Sequence, residues 1–200
     1  TTGDGGMITT NNAEFATMIR LWRHHSMSVS DNKRHAAKTI IFEQYLDIGY
    51  NYRLTDIQAA IGRIQLERLP EIISKRRKLV NNYFQLFHNI NNIILPMEPN
   101  WAKSNWQSFC IRFEKTIDQK KIMQYLLENG ISTRRGIMCA HLEPAYSNGY
   151  WHSGGGKQDN NKLNESQKAR DSSIILPLFT QLRESEQSYV VEKIIQYINS

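Results

Sequence analysis

The chain has 200 residues, 40% of them hydrophobic and 22% charged, a mixture that fits a globular fold and excludes wholesale disorder. No window approaches the roughly 18 consecutive apolar residues of a membrane span, and no basic stretch followed by an apolar core reads as a secretory signal. With 25 Lys and Arg against 19 Asp and Glu, the net charge of +6 suits an anionic partner such as nucleic acid, phosphate or a sugar nucleotide. The two cysteines, Cys110 and Cys139, lack disulfide-scaffold density and metal-ligand spacing. They read as small buried thiols, which makes a soluble, cytoplasmic protein the expectation.

The opening Thr1-Thr2-Gly3-Asp4-Gly5-Gly6 reads as a tight turn in the interior of a fold, leading into a short strand at Met7–Thr9. Asn11, with Glu14 three residues on, predicts a helix cap; Phe15, Met18, Ile19 and Trp22 then share one helical face ending near His24-His25. Residues 26–50 read as a long irregular loop. Thr55 and Gln58 form a capping box for a helix with Ile57, Ala60, Ile61 and Ile64 on its stripe, and Pro70 suits the first turn of the next, long helix. That helix carries the basic run Lys75-Arg76-Arg77-Lys78, read as a solvated face, and the apolar series Leu79, Val80, Tyr83, Phe84 and Phe87.

After it the texture changes. Ile93–Leu95 and Ser108–Phe113 read as strands, the second with alternating Phe109, Ile111 and Phe113. Asp118–Asn129 is an amphipathic helix closed by Gly130, and Ile131–Arg134 a further strand. Residues 147–166, rich in Gly, Asn, Ser and Lys, read as a mobile loop. Ser173–Leu178 is a strand that Pro177 assigns to an edge or a bulge, and the last helix carries Val190, Val191, Ile194, Ile195 and Ile198. The order is that of a compact α+β lobe.

Several positions are candidates for chemistry. Gly3-Asp4-Gly5-Gly6 has neither a P-loop lysine nor dinucleotide-turn spacing. Adjacent His24 and His25 point about 100° apart on a helix and do not chelate one metal easily. The segment Gly49-Tyr50-Asn51-Tyr52-Arg53-Leu54-Thr55-Asp56 sets an amide and a guanidinium just before a helix N-terminus, a composition suited to an anion. A structural pair, with Asn51 in a turn and Arg53 bridging Asp56, explains it equally well. His141 is either a hydrogen-bonded loop anchor or a group lining a cleft, and Arg134-Arg135 either receive a diphosphate or are solvated.

Three segments carry a resemblance: Thr1–Met7; Gly49-x-Asn51-x-Arg53 with Asp56 and Gln58-Ala59-Ala60-Ile61-Gly62; and Leu176-Pro177-Leu178-Phe179. In this order the chain resembles the C-terminal portion of the DegT/DnrJ/StrS-type sugar aminotransferases. The resemblance extends to Arg23–Met27 and His141–Tyr146. It implies an α/β protein of fold-type-I: residues 1–70 as the end of the large α/β domain, 71–91 as a connecting helix, and 92–200 as a small α+β C-terminal domain. It further implies pyridoxal 5′-phosphate (PLP) as cofactor, a nucleotide-linked keto sugar and an amino donor such as glutamate as partners, and a homodimer with shared active sites. The family's Schiff-base lysine would stand three residues before Thr1, so no catalytic residue is assigned within these 200 residues, and the chain alone is expected to be inactive.

By the same resemblance Asn51 and Arg53 would meet the PLP phosphate of the partner subunit, and His141 and Arg135 would bind substrate. Ser26 departs from the family's frequent glycine after His25, and Thr133–Met138 departs from its His-Tyr-x-Pro pattern. No metal site, nucleic-acid partner or membrane is expected. A non-catalytic remnant with a dimerisation or ligand-binding role is the alternative. A basic nucleic-acid module would need aromatics interleaved with its charges, and the sequence lacks that pattern.

Overall fold

The computed structural model describes residues 1–114, 117–146 and 163–200, which divide into two compact units, Thr1–Leu69 and Pro70–Ser200. In the first unit the helix starts follow side-chain capping. Helix α1 (Ala13–Trp22) begins after Asn12, whose Oδ1 accepts from the Phe15 amide at 3.0 Å, one residue later than the expected cap at Asn11. Helix α2 (Asp31–Ala36) is a short piece capped by Ser30 inside the stretch expected to be wholly irregular. Helix α3 (Asp56–Glu67) has the full capping box: Thr55 Oγ1 accepts from the Gln58 amide at 3.2 Å, and Gln58 Oε1 from the Thr55 amide at 3.2 Å. The strand expected at Met7–Thr9 does not form, because the segment has no ladder partner. Neither α1 nor α3 contains a buried residue, so their apolar stripes face outward within this unit.

The second unit is built on a four-stranded sheet. Helix α4 (Leu69–Leu86) leads to β1 (Ile93–Ile94), β2 (Phe109–Phe113), α5 (Gln119–Glu128) and β3 (Arg134–Arg135). Two single-turn 3-10 helices, Ala140–Leu142 and Pro144–Tyr146, come next. Helix α6 (Asn164–Ser172), β4 (Ser173–Leu176) and α7 (Glu184–Ile198) complete the unit. The strand order is β1-β2-β4-β3, antiparallel throughout, with Ile111 opposite Ile174 and Arg135 also opposite Ile174.

One face of the sheet carries Phe109, Ile111, Phe113, Ile174 and Leu176, all buried beneath α4, α5 and α7. Tyr83 of α4 stacks on Phe109 at 5.0 Å and donates its hydroxyl to the Pro177 carbonyl at 2.9 Å. Burial pushes its phenol pKa well above the ordinary value. Gln187 of α7 is fully buried yet satisfied, donating to the Leu79 carbonyl and accepting from Asn82, each at 2.9 Å; this ties α7 to α4.

Four expectations for this unit are corrected. The strand after Gly130 is Arg134–Arg135, not Ile131–Arg134, because Ile131 is a buried core residue preceding the ladder. Pro177 does not mark an edge. Strand β4 is an inner strand that stops at Leu176, so the proline sits past the ladder, where its missing N–H removes no hydrogen bond. Of the loop expected over 147–166, residues 147–162 lie outside the described residues, while Asn164 onward is helix α6. The basic run on α4 is only partly solvated: Arg77 grips both carboxylate oxygens of Glu98, at 2.8 and 2.7 Å, and donates to the Ser104 carbonyl at 2.6 Å.

Candidate functional site

The Gly49–Asp56 segment is fixed by backbone pairing with the end of α1. The Tyr50 amide donates to the Trp22 carbonyl at 2.6 Å, the His25 amide to the Tyr50 carbonyl at 3.0 Å, and the Tyr52 amide to the Arg23 carbonyl at 3.0 Å. His24 and Asn51 thereby form an antiparallel bridge. The approach is too close for a side chain at Gly49: a Cβ there would collide with the backbone of His25 and Ser26. His25 and Ser26 turn the chain with φ of 57° and 55°, the left-handed region that explains a glycine preference at position 26. Trp22 Nε1 donates to Asp47 Oδ2 at 3.0 Å, which holds the Asp47 carboxyl below its usual range.

On this frame Tyr50 and Tyr52 stack at 5.1 Å, nearly parallel. Between them Asn51 is exposed, and its Oδ1 accepts from Arg53 Nε at 3.0 Å. The bond sets the Asn51 amide and the Arg53 guanidinium side by side. The N-terminus of α3 contributes less than the sequence suggests. Thr55 already satisfies one of its amides, and Asp56 in its first turn sets a negative charge there. The cationic character at this place rests on Arg53.

Arg135 and His141, both in the second unit, are not brought together. Arg135 is aligned with Ile174 on the helix-covered face of the sheet and lines a cleft of about 660 Å³ with Lys120 and Met123 of α5. His141 lies on the first 3-10 turn, where Gln167 of α6 donates to its Nε2 at 3.1 Å. Helix α6 packs against the opposite face of the sheet: Ser173 Oγ hydrogen-bonds the Ala169 carbonyl, and Arg112 helps hold the Glu165 carboxyl below its usual range, after the larger effect of Lys168. Gly136 passes between these parts, and a Cβ there would collide with Ser173 and sit 2.6 Å from Cys110 Sγ. Burial raises the Cys110 thiol pKa, in keeping with a packing position. Sequence reasoning missed Gln167, because α6 has no apolar stripe, and missed Lys120, whose proximity to Arg135 depends on the fold.

A sequence model of the DegT/DnrJ/EryC1/StrS aminotransferase family matches residues 1–195. The chain belongs to that family. An uncharacterised protein of Methanocaldococcus jannaschii is 27% identical over 202 residues, a match that takes in 100% of this chain and 51% of the relative. Among solved structures, the aminotransferase TlmJ of Streptoalloteichus hindustanus superposes with a TM-score of 0.81 at 23% identity, covering 99% of this chain and 48% of that one. Helicobacter pylori PseC, an aminotransferase involved in the biosynthesis of pseudoaminic acid, gives 0.80 at 20% identity over 95% and 47%. A Streptococcus pneumoniae neighbour has been solved in PMP and PLP forms.

The chain thus spans about half the length of the relatives it matches, and it has the α/β fold of a C-terminal portion of a PLP aminotransferase. Among the described residues no helix is long and apolar enough to cross a membrane. The Asn51–Arg53 pair fits the phosphate end of PLP: an amide donor beside a guanidinium on a rigid frame is a phosphate-binding donor set.

Proposed function

We propose that these 200 residues form the C-terminal portion of a cytoplasmic, PLP-dependent aminotransferase acting on a nucleotide-linked keto sugar, with glutamate or a similar amino donor, and working as a homodimer. Asn51 and Arg53 bind and orient the cofactor phosphate of the partner subunit, and His141 and Arg135 contact substrate. The observation that carries this reading is the exposed Asn51–Arg53 pair on a segment held to the end of α1 and the residues just after it by three backbone hydrogen bonds. When bound, PLP supplies the electron sink that lets an amino group pass to a ketone. This chain's own residues hold an anion in place and fix its register. Gly49 allows the close backbone approach that aims Asn51.

The test uses the protein with its natural upstream sequence. Arg53→Ala is expected to weaken PLP binding about tenfold or more, read by absorbance titration of the apoprotein, with Arg53→Lys losing less. Glutamate-dependent amination of a nucleotide-linked keto sugar is expected to fall in parallel. Unchanged PLP affinity in Arg53→Ala overturns the phosphate role. Absence of any amination by the unaltered protein overturns the enzyme reading in favour of a binding remnant.

A further inference from the structure

We infer that Gln167 is a positioning residue for His141: it holds the imidazole in one orientation and in the tautomer whose proton sits on Nδ1. This rests on the reading of His141 as a substrate contact and adds what aims the ring. His141 is half-buried on a single 3-10 turn, Ala140–Leu142, and the residue before that turn supplies no side-chain cap. One such turn fixes a side chain poorly, and an unheld imidazole spreads over several rotamers. Two bonds to α6 remove that freedom. The Cys139 thiol donates to the Ser166 carbonyl at 3.3 Å, and the Gln167 amide nitrogen lies 3.1 Å from His141 Nε2. Cys139 opens the turn and His141 is at its middle, while Ser166 and Gln167 are neighbours on α6, so the turn is clasped at two points.

The chemistry of the amide sets the tautomer. An amide NH2 only donates, so the ring nitrogen it meets must offer a lone pair. With Nε2 accepting, a neutral ring carries its proton on Nδ1, and whatever meets Nδ1 must accept. A carboxylate in place of the amide demands the reverse, a proton on Nε2. Helix α6 gives the contact a fixed base. None of its residues is buried and none belongs to the core, so apolar packing does not hold it. Polar contacts do. Gln119 Nε2 of α5 donates to the Arg170 and Ser173 carbonyls at 2.7 and 2.6 Å, and Ser173 Oγ bonds the Ala169 carbonyl. The end of α6 is thereby tied to α5 and β4 and its start to the turn, which makes the helix a strut between the sheet and His141.

The experiment uses the protein with its natural upstream sequence and isotope-labelled histidine ring nitrogens, read by long-range proton–nitrogen correlation at about pH 8.5, where an ordinary histidine is neutral. His141→Ala assigns the signals by their loss. The unaltered protein is expected to show an unprotonated Nε2 and a protonated Nδ1. Gln167→Glu is expected to move the proton to Nε2 and Gln167→Ala to leave a mixture of the two forms, while Lys168→Ala, on the exposed side of α6, keeps the original tautomer. A proton on Nε2 in the unaltered protein overturns the proposal, as does a tautomer that ignores Gln167→Glu. In the amination assay, Gln167→Ala is expected to raise KM for the keto sugar about fivefold with kcat little changed, the loss of one hydrogen bond. Combined with His141→Ala it is expected to add nothing further, because it acts through that ring. Additive losses mark a merely structural role and overturn the positioning. If His141→Ala leaves KM unchanged while the ring in the other variants still follows the residue at 167, the tautomer assignment stands and only the substrate reading falls.

Discussion

Ser26 shows how a single position records a compromise. It is fully buried, holds φ at 55°, and its hydroxyl has no hydrogen-bond partner among the described residues. A left-handed non-glycine residue costs about 1 kcal/mol, and a buried hydroxyl without a partner a further 1 kcal/mol or more. Glycine removes both terms and returns less than 1 kcal/mol in unfolded-chain entropy. Ser26→Gly is therefore expected to stabilise the first unit by about 1 kcal/mol, read as a higher urea midpoint; a lower midpoint counts against the strain. The reverse holds at Gly49, where the atoms a Cβ would strike are backbone and cannot rotate away. Gly49→Ala is expected to cost about 3 kcal/mol and, by displacing Asn51, to weaken PLP binding as well. A normal midpoint with normal PLP affinity would show that the contact yields easily.

At the scale of elements, Glu98 fastens the segment that joins β1 to β2 onto α4. The Arg77 guanidinium and then the Ser104 amide hold its carboxyl down to about 2, from an ordinary 4.5. A depressed carboxylate adds stability that is fully present above about pH 4.5 and is lost as the pH falls toward about 2. Glu98→Gln should accordingly lower the melting temperature at pH 7, with the difference from the unaltered protein shrinking to nothing near pH 2. A difference independent of pH would assign the effect to packing. The sequence shows this fastening only as a basic run, since the partner stands 21 residues away.

Elements with local signals were legible: the Thr55–Gln58 box, the Asp118 cap and Gly130 at φ 75° place α3 and α5 almost to the residue. Helix α6 was not, because Asn164–Ser172 is polar almost throughout and is held by its connection to β4 and by Ser173. The inner position of β4 depends on pairing with β2 and β3, which no local pattern contains. The site divides in the same way. Gly49-x-Asn51-x-Arg53 was visible as a motif, while the pinning to the end of α1 and the turn after it that aims the motif is a contact between segments 25 to 29 residues apart.

At the scale of the whole molecule, burial is unevenly distributed. Every buried hydrophobic residue lies in Pro70–Ser200; in Thr1–Leu69 the one buried residue whose side chain is described is Ser26. Phe15 and Met18 on α1, Ile40, Phe42 and Ile48 before the site, and Ile57, Ile61 and Ile64 on α3 are all exposed. These are the residues whose helical and clustered spacing marks a face to be covered, and patches beyond a few hundred Å² rarely stay in water uncovered. The net charge of +6 opposes association only weakly at physiological salt, where the screening length is about 8 Å. The isolated 200-residue chain is therefore expected to self-associate through its first unit, giving a mass by light scattering that rises with concentration and strong binding of an apolar dye. Fusion to its natural upstream sequence is expected to suppress the dye signal. Replacing Ile57, Ile61 and Ile64 together with Gln should reduce association of the isolated chain without lowering the melting temperature of the second unit, whose core they do not enter. A monomer that leaves the dye dark at all concentrations would show that the first unit covers these side chains itself, by a packing other than the one described.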